Sequence, residues 1–253
     1  MLGGMPVTIE KRDRICVIQM NRPEKRNAIN PAMTLALDAA LNEFEDDAEM
    51  WVAVLTGYRQ GFCAGTDLAE SSGPRTDRGG EYGVVRRARR KPLIAAVEGM
   101  ALGGGMEIVL ACDLVVASTS ATFGLPEARR GVIATCGGLF RAQRALPVNI
   151  ARQILLTGEP ISADRAYQLG LVNEVTEDGA ALHAAVALAQ RIVLNSPVSV
   201  QESLLATNKA FDHADAAGWR DTETAFEAVL QSADMAEGIT AFFERRPPRW
   251  TGN

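Results

Sequence analysis

Two short apolar stretches near the start, residues 7–11 and Ile15–Met20, flank the turn-like Asp13, and this predicts a strand pair. Asn30-Pro31 then has the form of a helix start, with Asn as the cap and Pro in the first turn. Met33, Leu37, Leu41 and Phe44 follow at spacings of four, four and three, on one face of that helix. Residues 51–56, 93–97 and 114–117 are further short apolar runs that suit strands. Strands alternating with helices imply an α/β core. The character changes near Ser162, which caps a short helix that stops near Gly170; Leu171-Val172 is expected to follow as a strand. Beyond Ala180 only helical patterns occur, over 180–194, 197–210, 221–232 and 234–245, and Arg246-Pro247-Pro248 ends the last of them. The expected organisation is an α/β core over residues 1–195 and a helical region over 196–253.

Composition narrows the chemistry. Of 253 residues, 47% are apolar and 23% charged, the balance of an ordinary globular protein with enough chain for a sizeable core. A net charge of −5 gives no global field that favours nucleic acid. No uncharged stretch reaches the ~18 residues that cross a bilayer. The first ten residues lack a basic region followed by an apolar run, which argues against a secretory signal; Met1 to Gly4 are expected to be a loose tail, with Met5 an alternative start. Cys16, Cys63, Cys112 and Cys136 show no CxxC spacing, so free thiols in a reducing, cytoplasmic setting are the simpler reading. The only histidines are His183, one step off a helical stripe formed by Leu182, Val186, Ala189 and Val193, and His213, in a polar loop-like stretch. Serine or cysteine triads and His-rich metal sites therefore recede, and chemistry must rest on carboxylates and backbone amides.

Two Gly-containing turns follow apolar strands. Gly65-Thr66 presents the Thr66 amide, and Gly103-Gly104-Gly105 leads into a buried helix whose first amides are free and carry the positive end of its dipole. Two such amides suit a thioester oxygen that becomes an enolate, each donor contributing about 3 kcal/mol. A packing or phosphate role for the glycines is the alternative, although neither GxGxxG nor a P-loop pattern occurs. Glu107 lies one turn beyond the triple Gly in an apolar helix, either ion-paired to an arginine or acting as a general acid/base. Glu127 follows Pro126 at a helix start, either as a favourable first-turn charge with Arg129 and Arg130 for partners or as a second acid/base. Residues 86–91 place five positive charges in six positions. A solvated helix end is the plainer reading of that run; a contact to phosphates or to an acidic neighbour is the alternative, and RNA binding is disfavoured because no aromatic residue is interleaved.

Four segments together resemble, in order, the signature blocks of the enoyl-CoA hydratase/isomerase (crotonase) family. They are Arg22-Pro23-Glu24-Lys25-Arg26-Asn27-Ala28, Phe62-Cys63-Ala64-Gly65-Thr66-Asp67-Leu68, Gly103-Gly104-Gly105-Met106-Glu107 and Phe123-Gly124-Leu125-Pro126-Glu127. Ser162-Ala163 through Gly170-Leu171-Val172 and the closing Phe243-Glu244-Arg245-Arg246 extend the resemblance over nearly the whole chain. It implies a spiral of repeated ββα units with a C-terminal helical trimerisation region, acting as a homotrimer or a dimer of trimers. It implies oxyanion donors at Thr66 and Gly104 and acid/base residues at Glu107 and Glu127. It also implies CoA or substrate contacts at Arg26, Ala28, Ala64, Asp67 and Leu68, with Phe242 and Arg245 covering the CoA, in some members from a neighbouring subunit. No metal or cofactor is implied, since coenzyme A is part of the substrate. Because both glutamates are present, the resemblance favours hydration of a trans-2-enoyl-CoA to a 3-hydroxyacyl-CoA. Isomerisation of a 3-enoyl-CoA and dehydration of a hydroxyacyl-CoA are the alternatives within the family, and a non-catalytic RNA- or protein-binding member is the alternative outside it. The stretch 134–139 departs from the family's Pro-Gly and Gly-Gly-Thr pattern and is closer to members acting on branched or unusual acyl groups.

Overall fold

The structure is a computed structural model that describes residues 5–58 and 61–252; the tail expected at Met1 to Gly4 lies outside the described residues. Strands β1 (Val7–Arg12) and β2 (Ile15–Met20) form the expected antiparallel pair, and Asp13 makes the turn with φ 52°. Helix α1 (Pro31–Asp46) starts where the Asn30 side chain accepts the Met33 amide at 2.9 Å. Its Met33, Leu37, Leu41 and Phe44 are fully buried, as their spacing requires. Next come β3 (Val52–Gly57), β4 (Leu93–Val97), β5 (Met100–Leu102), α2 (Gly104–Ala111), β6 (Leu114–Ser118) and β7 (Thr122–Gly124). The remainder is α3 (Gly138–Ala145), α4 (Val148–Thr157), β8 (Ile161–Ser162), α5 (Ala163–Gln168), β9 (Glu174–Thr176), α6 (Ala181–Val193), α7 (Pro197–Lys209), α8 (Asp212–Leu230) and α9 (Ala233–Glu244).

The larger sheet has the order β1-β2-β3-β4-β6-β9 and is parallel beyond the first hairpin. Its central strands are apolar throughout because both faces are covered. Ile18, Leu55 and Ala95 face the cluster that holds the apolar residues of α1 and α2, while Val17, Val54, Ile94 and Val116 pack toward Ala185 and Ala189 of α6. The smaller sheet has the order β5-β7-β8. Each turn of the spiral gives one strand to the larger sheet and the next to the smaller: β4 is followed by β5, and β6 by β7. Strands β5 and β7 are parallel, with Leu102 opposite Gly124, so the segments after both leave from one edge.

Three expectations about the elements change. Leu171 and Val172 are not a strand: both amides donate to the Ala166 carbonyl and close the end of α5, so strand pairing with β6 begins only afterwards, in β9. Helix α8 begins at Asp212 rather than 221, which puts His213, still exposed, in a helix instead of a loop. Asp212 and Asp215 in its first turn offset the helix dipole, and Gly218 sits inside it because a side chain there would strike the Phe140 ring. In α6 the fully buried stripe is Ala181, Ala185 and Ala189, with the larger Leu182, Val186 and Val193 half-buried beside it.

The basic run is not a solvated helix end. Arg87 bonds Asn42 and Asp38 of α1, and Arg89 forms a two-pronged pair with Asp113. Lys91 caps the end of α1 through the Phe44 and Asp47 carbonyls at 2.9 and 2.8 Å. Arg86 pairs with Glu81 and lies 3.6 Å over the Trp219 ring. These cations turn inward because the neighbouring elements supply the carboxylates and orphan carbonyls that make burial tolerable. Among the described residues no helix is long and apolar enough to cross a membrane.

Candidate active site

The two glycine turns meet beside the smaller sheet. Residues 63–65 run alongside β5: the Cys63 amide donates to Met100 O at 2.9 Å, and the Leu102 amide donates to Cys63 O at 3.0 Å. Gly65 has φ +95°, and a β-carbon there would lie 2.9 Å from Leu102 O and 3.1 Å from Gly104 N. That approach brings the turn bearing Thr66 against the turn bearing Gly104. Gly103, at φ +56°, anchors the second turn by donating to Gly124 O at 2.9 Å. Gly104 then opens α2, where the first amides of a helix have no partner within it. Among the described residues, neither the Thr66 nor the Gly104 amide donates to a protein acceptor.

Both glutamates come from this edge. Glu107 lies in the first turn of α2, after β5; Glu127 lies in the short 3-10 turn Pro126–Arg130, after β7. Gly103 lies against Glu127: a β-carbon there would stand 3.2 Å from Glu127 Oε1. Glu107 is 1% exposed, and its Oε1 accepts the amides of Cys136 at 2.7 Å and Gly138 at 3.0 Å. No arginine pairs with it among the described residues, so an ion pair does not explain its burial. Burial first, and then the Glu127 charge, push its carboxyl well above the ordinary carboxylate range, against the opposing pull of the two amides. Burial also pushes Glu127 up, opposed first by a hydrogen bond from its own backbone amide and then by the Arg130 charge. Glu127 Oε2 is buried without a hydrogen-bond partner among the described residues. The expected partners are engaged elsewhere: Arg129 donates to Thr157 O and pairs with Glu159, and Arg130 lies 5.2 Å over the Phe242 ring.

The stretch at 134–139 is where sequence reading missed most. It supplies the two amides that hold Glu107, and Gly138 is small because a β-carbon there would come 3.1 Å from Glu107 Oε1. A second omission is Tyr82, whose hydroxyl stands 2.9 Å from Thr66 Oγ1; the surrounding Gly79-Gly80 and Gly83 were its only sequence signal.

Arg26, Ala28, Ala64, Asp67 and Leu68 come together. The Ala64 amide donates to Arg26 O at 3.1 Å, Ile29 to Gly65 O at 2.8 Å and Asp67 to Ile29 O at 2.8 Å. Arg26 and Leu68 are exposed at the rim, and Ala28 and Ala64 are half-buried. The Asp67 carboxylate is occupied: it accepts Arg22 Nη1 at 2.7 Å and the Ala69 amide at 3.0 Å, and the Arg22 bond holds it below the usual range although burial pulls the other way. Arg22 also donates to Ala28 O at 3.0 Å and so ties the two segments together, a role its motif did not reveal. Phe242 and Arg245 belong to the end of α9, and no hydrogen bond or ion pair joins α9 to residues 26–28 among the described residues. Phe242 lines a cleft of about 410 Å³ with Leu102, Pro126, Arg130 and Pro160; Arg245 is exposed in a left-handed cap with φ 55°. Among the described residues no group of three or more His, Cys, Asp or Glu side chains could hold a metal ion.

Two amides free to receive an oxygen, with two buried carboxyls of raised proton affinity beside them, can polarise a carbonyl and move protons at adjacent carbons. Comparison with known proteins agrees with that chemistry. The short-chain-enoyl-CoA hydratase of Clostridium acetobutylicum is 36% identical over 249 residues, 95% of each chain. The solved structure of carnitinyl-CoA hydratase from Mycobacterium avium superposes with a TM-score of 0.94 at 42% identity, covering 99% of this chain and all of that one. A carnitinyl-CoA dehydratase from Mycobacterium avium 104 does so with a TM-score of 0.93 at 45% identity and the same coverage. Residues 10–253 match the enoyl-CoA hydratase/isomerase family, and the chain belongs to it.

Proposed function

We propose that this protein is an enoyl-CoA hydratase, adding water across the 2,3 double bond of a trans-2-enoyl-CoA to give the 3-hydroxyacyl-CoA. The observation that carries the reading is that Glu107 and Glu127 follow two adjacent parallel strands and lie near enough for the Glu127 charge to act on Glu107, with Gly103 against Glu127. The thioester oxygen accepts the Thr66 and Gly104 amides. Glu107, whose charged form two amides favour, takes a proton from water as its oxygen bonds to the β-carbon. The π electrons move onto the thioester oxygen as an enolate. Glu127, raised by burial as Glu107 is, holds in this direction the proton that the pair shares and delivers it to the α-carbon. The reverse sequence is dehydration, so the names of both Mycobacterium avium relatives fit one site. The chemistry needs no group beyond the CoA carried by the substrate.

Arg26, Ala28, Ala64 and Leu68 are placed to take the CoA portion, with Arg22 and Asp67 fixing their loops. Residues 196–253 are read as an assembly region of a homotrimer or a pair of trimers. Helix α7 buries no residue and α8 only Thr222 against their own chain, while Val198, Phe211, Leu230 and Phe243 stay exposed, a state that a partner surface would relieve. Four free thiols fit a reducing compartment such as the cytoplasm. The test of function is a turnover screen of purified protein across 2-enoyl-CoAs of different length and branching, with 3-enoyl-CoAs alongside. Hydration of at least one 2-enoyl-CoA in preference to 3-enoyl isomerisation is expected, and isomerisation alone would reject the assignment.

A further inference from the structure

Tyr82 sits in a left-handed conformation, φ 58° and ψ 7°, that side chains bearing a β-carbon rarely adopt. The tight turn around it over-determines that conformation. Gly80 and Gly83 also have positive φ, at 66° and 73°, and Gly83 presses on α1 so closely that a β-carbon would lie 2.6 Å from Thr34 O. The Arg86 amide donates to Gly79 O at 2.9 Å, and the Arg86 side chain returns to Glu81. The result drives the tyrosine ring inward, where it is 3% exposed. Its hydroxyl is 2.9 Å from Thr66 Oγ1, and a β-carbon on Gly104 would come 2.5 Å from that same oxygen. One atom therefore touches both turns whose amides are free.

A ring that only filled space would be better as Phe, since a buried hydroxyl is costly unless used. The pair of hydroxyls also has a proton to spare: one mutual bond uses one of two donors, and the remaining side faces the Cys136 thiol and the Glu107 carboxylate. Cys136 in turn donates its amide to Glu107 at 2.7 Å.

We propose that Tyr82 is a positioning residue for the reaction, its hydroxyl locking the Thr66 and Gly104 turns at the separation that lets both amides reach one thioester oxygen. The proposal rests on the reading of those two amides as oxyanion donors.

The test uses the full-length enzyme with Tyr82→Phe, Thr66→Val, Thr66→Ser and the Phe/Val double variant, and two readouts. One is steady-state hydration; the other is the absorbance shift of a bound conjugated dienoyl-CoA, which reports carbonyl polarisation without turnover. Tyr82→Phe and Thr66→Val should each lower kcat about tenfold with KM within about twofold, the signature of an interaction made in the transition state. The double variant should fall no further than Tyr82→Phe alone, because the Thr66 bond is one of those that Tyr82→Phe already removes. Thr66→Ser, which keeps the hydroxyl, should lose several-fold less kcat than Thr66→Val, and the absorbance shift should shrink in the Phe and Val variants more than in the Ser variant. Thr66→Val removes the same bond from the other side, so the test survives if Tyr82→Phe fails to fold. Wild-type kcat with a full shift in Tyr82→Phe would overturn the proposal, as would multiplying effects in the double variant. A wild-type enzyme that binds the dienoyl thioester with no shift would overturn the oxyanion reading itself, and the proposal with it.

Discussion

The Gly138 amide donates to Glu107 Oε1 at 3.0 Å, 31 residues away in the chain, and the Cys136 amide donates to the same oxygen at 2.7 Å. A buried carboxylate with no cation is thus held by two backbone amides, with the Cys136 side chain beside them. Glutamine at 107 keeps an oxygen for both amides and loses the ability to take a proton. Glu107→Gln is therefore expected to fold normally and lower kcat by about 10²–10⁴-fold, with KM changed by about threefold or less. Steady-state kinetics with circular dichroism on the same preparation checks it; a KM effect without a kcat effect would assign Glu107 to binding.

Hydration needs one carboxyl ionised and the other protonated. Both glutamates are raised above the ordinary value of 4.5, so both limbs of the pH profile should move upward. As pH falls the base is lost by protonation, and as pH rises the acid is lost by ionisation. The profile of kcat/KM should be a bell with its acid limb above the ordinary carboxylate range, and the two apparent values belong to the pair. A flat profile down to pH 5 would contradict it.

The same shifts bear on stability. A carboxyl whose folded pKa exceeds its unfolded value holds its proton in the native state where the unfolded chain has released it. Stability is then lost as pH rises from about 4.5 through the raised folded value, and the full cost stands above it. Glu107→Gln removes this titration. Its thermal stability relative to wild type should therefore be higher at pH 9 than at pH 5, by roughly 1–3 kcal/mol. An equal difference at both pH values would show that burial does not penalise the Glu107 charge.

The inward turn of the basic run gives a separate forecast. Arg89 is buried against Asp113, so Arg89→Leu strands a carboxylate and should cost about 3–5 kcal/mol. Arg90 is mostly exposed, and Arg90→Ala should change stability by about 0.5 kcal/mol or less. Urea unfolding of the two variants checks the contrast. Equal small effects would return the run to a surface role, for which a salt-sensitive RNA gel shift would then be the natural assay.

The limits of sequence reading follow from what each feature depends on. Periodicity in α1 and the central strands was legible because burial acts through local spacing, and Met33, Leu37, Leu41 and Phe44 are buried as read. Helix α8 was half hidden because its first half mixes small residues and Trp219 with charges and shows no continuous apolar stripe. The charges of residues 86–91 looked solvated because their partners, Asp38, Asn42 and Asp113, are distant in sequence. The glutamates and glycine turns were found as local motifs. Their convergence, the grip of Cys136 and Gly138 on Glu107, and the reach of Tyr82 to Thr66 are long-range contacts that spacing cannot express.

The measurement closest to the central claim is single-substrate turnover of a trans-2-enoyl-CoA by wild type and by Glu127→Gln, with binding of a saturated acyl-CoA measured in parallel. The variant is expected to lose at least about 99% of the hydration rate and to keep acyl-CoA affinity within about threefold. Hydration by Glu127→Gln at the wild-type rate would contradict it.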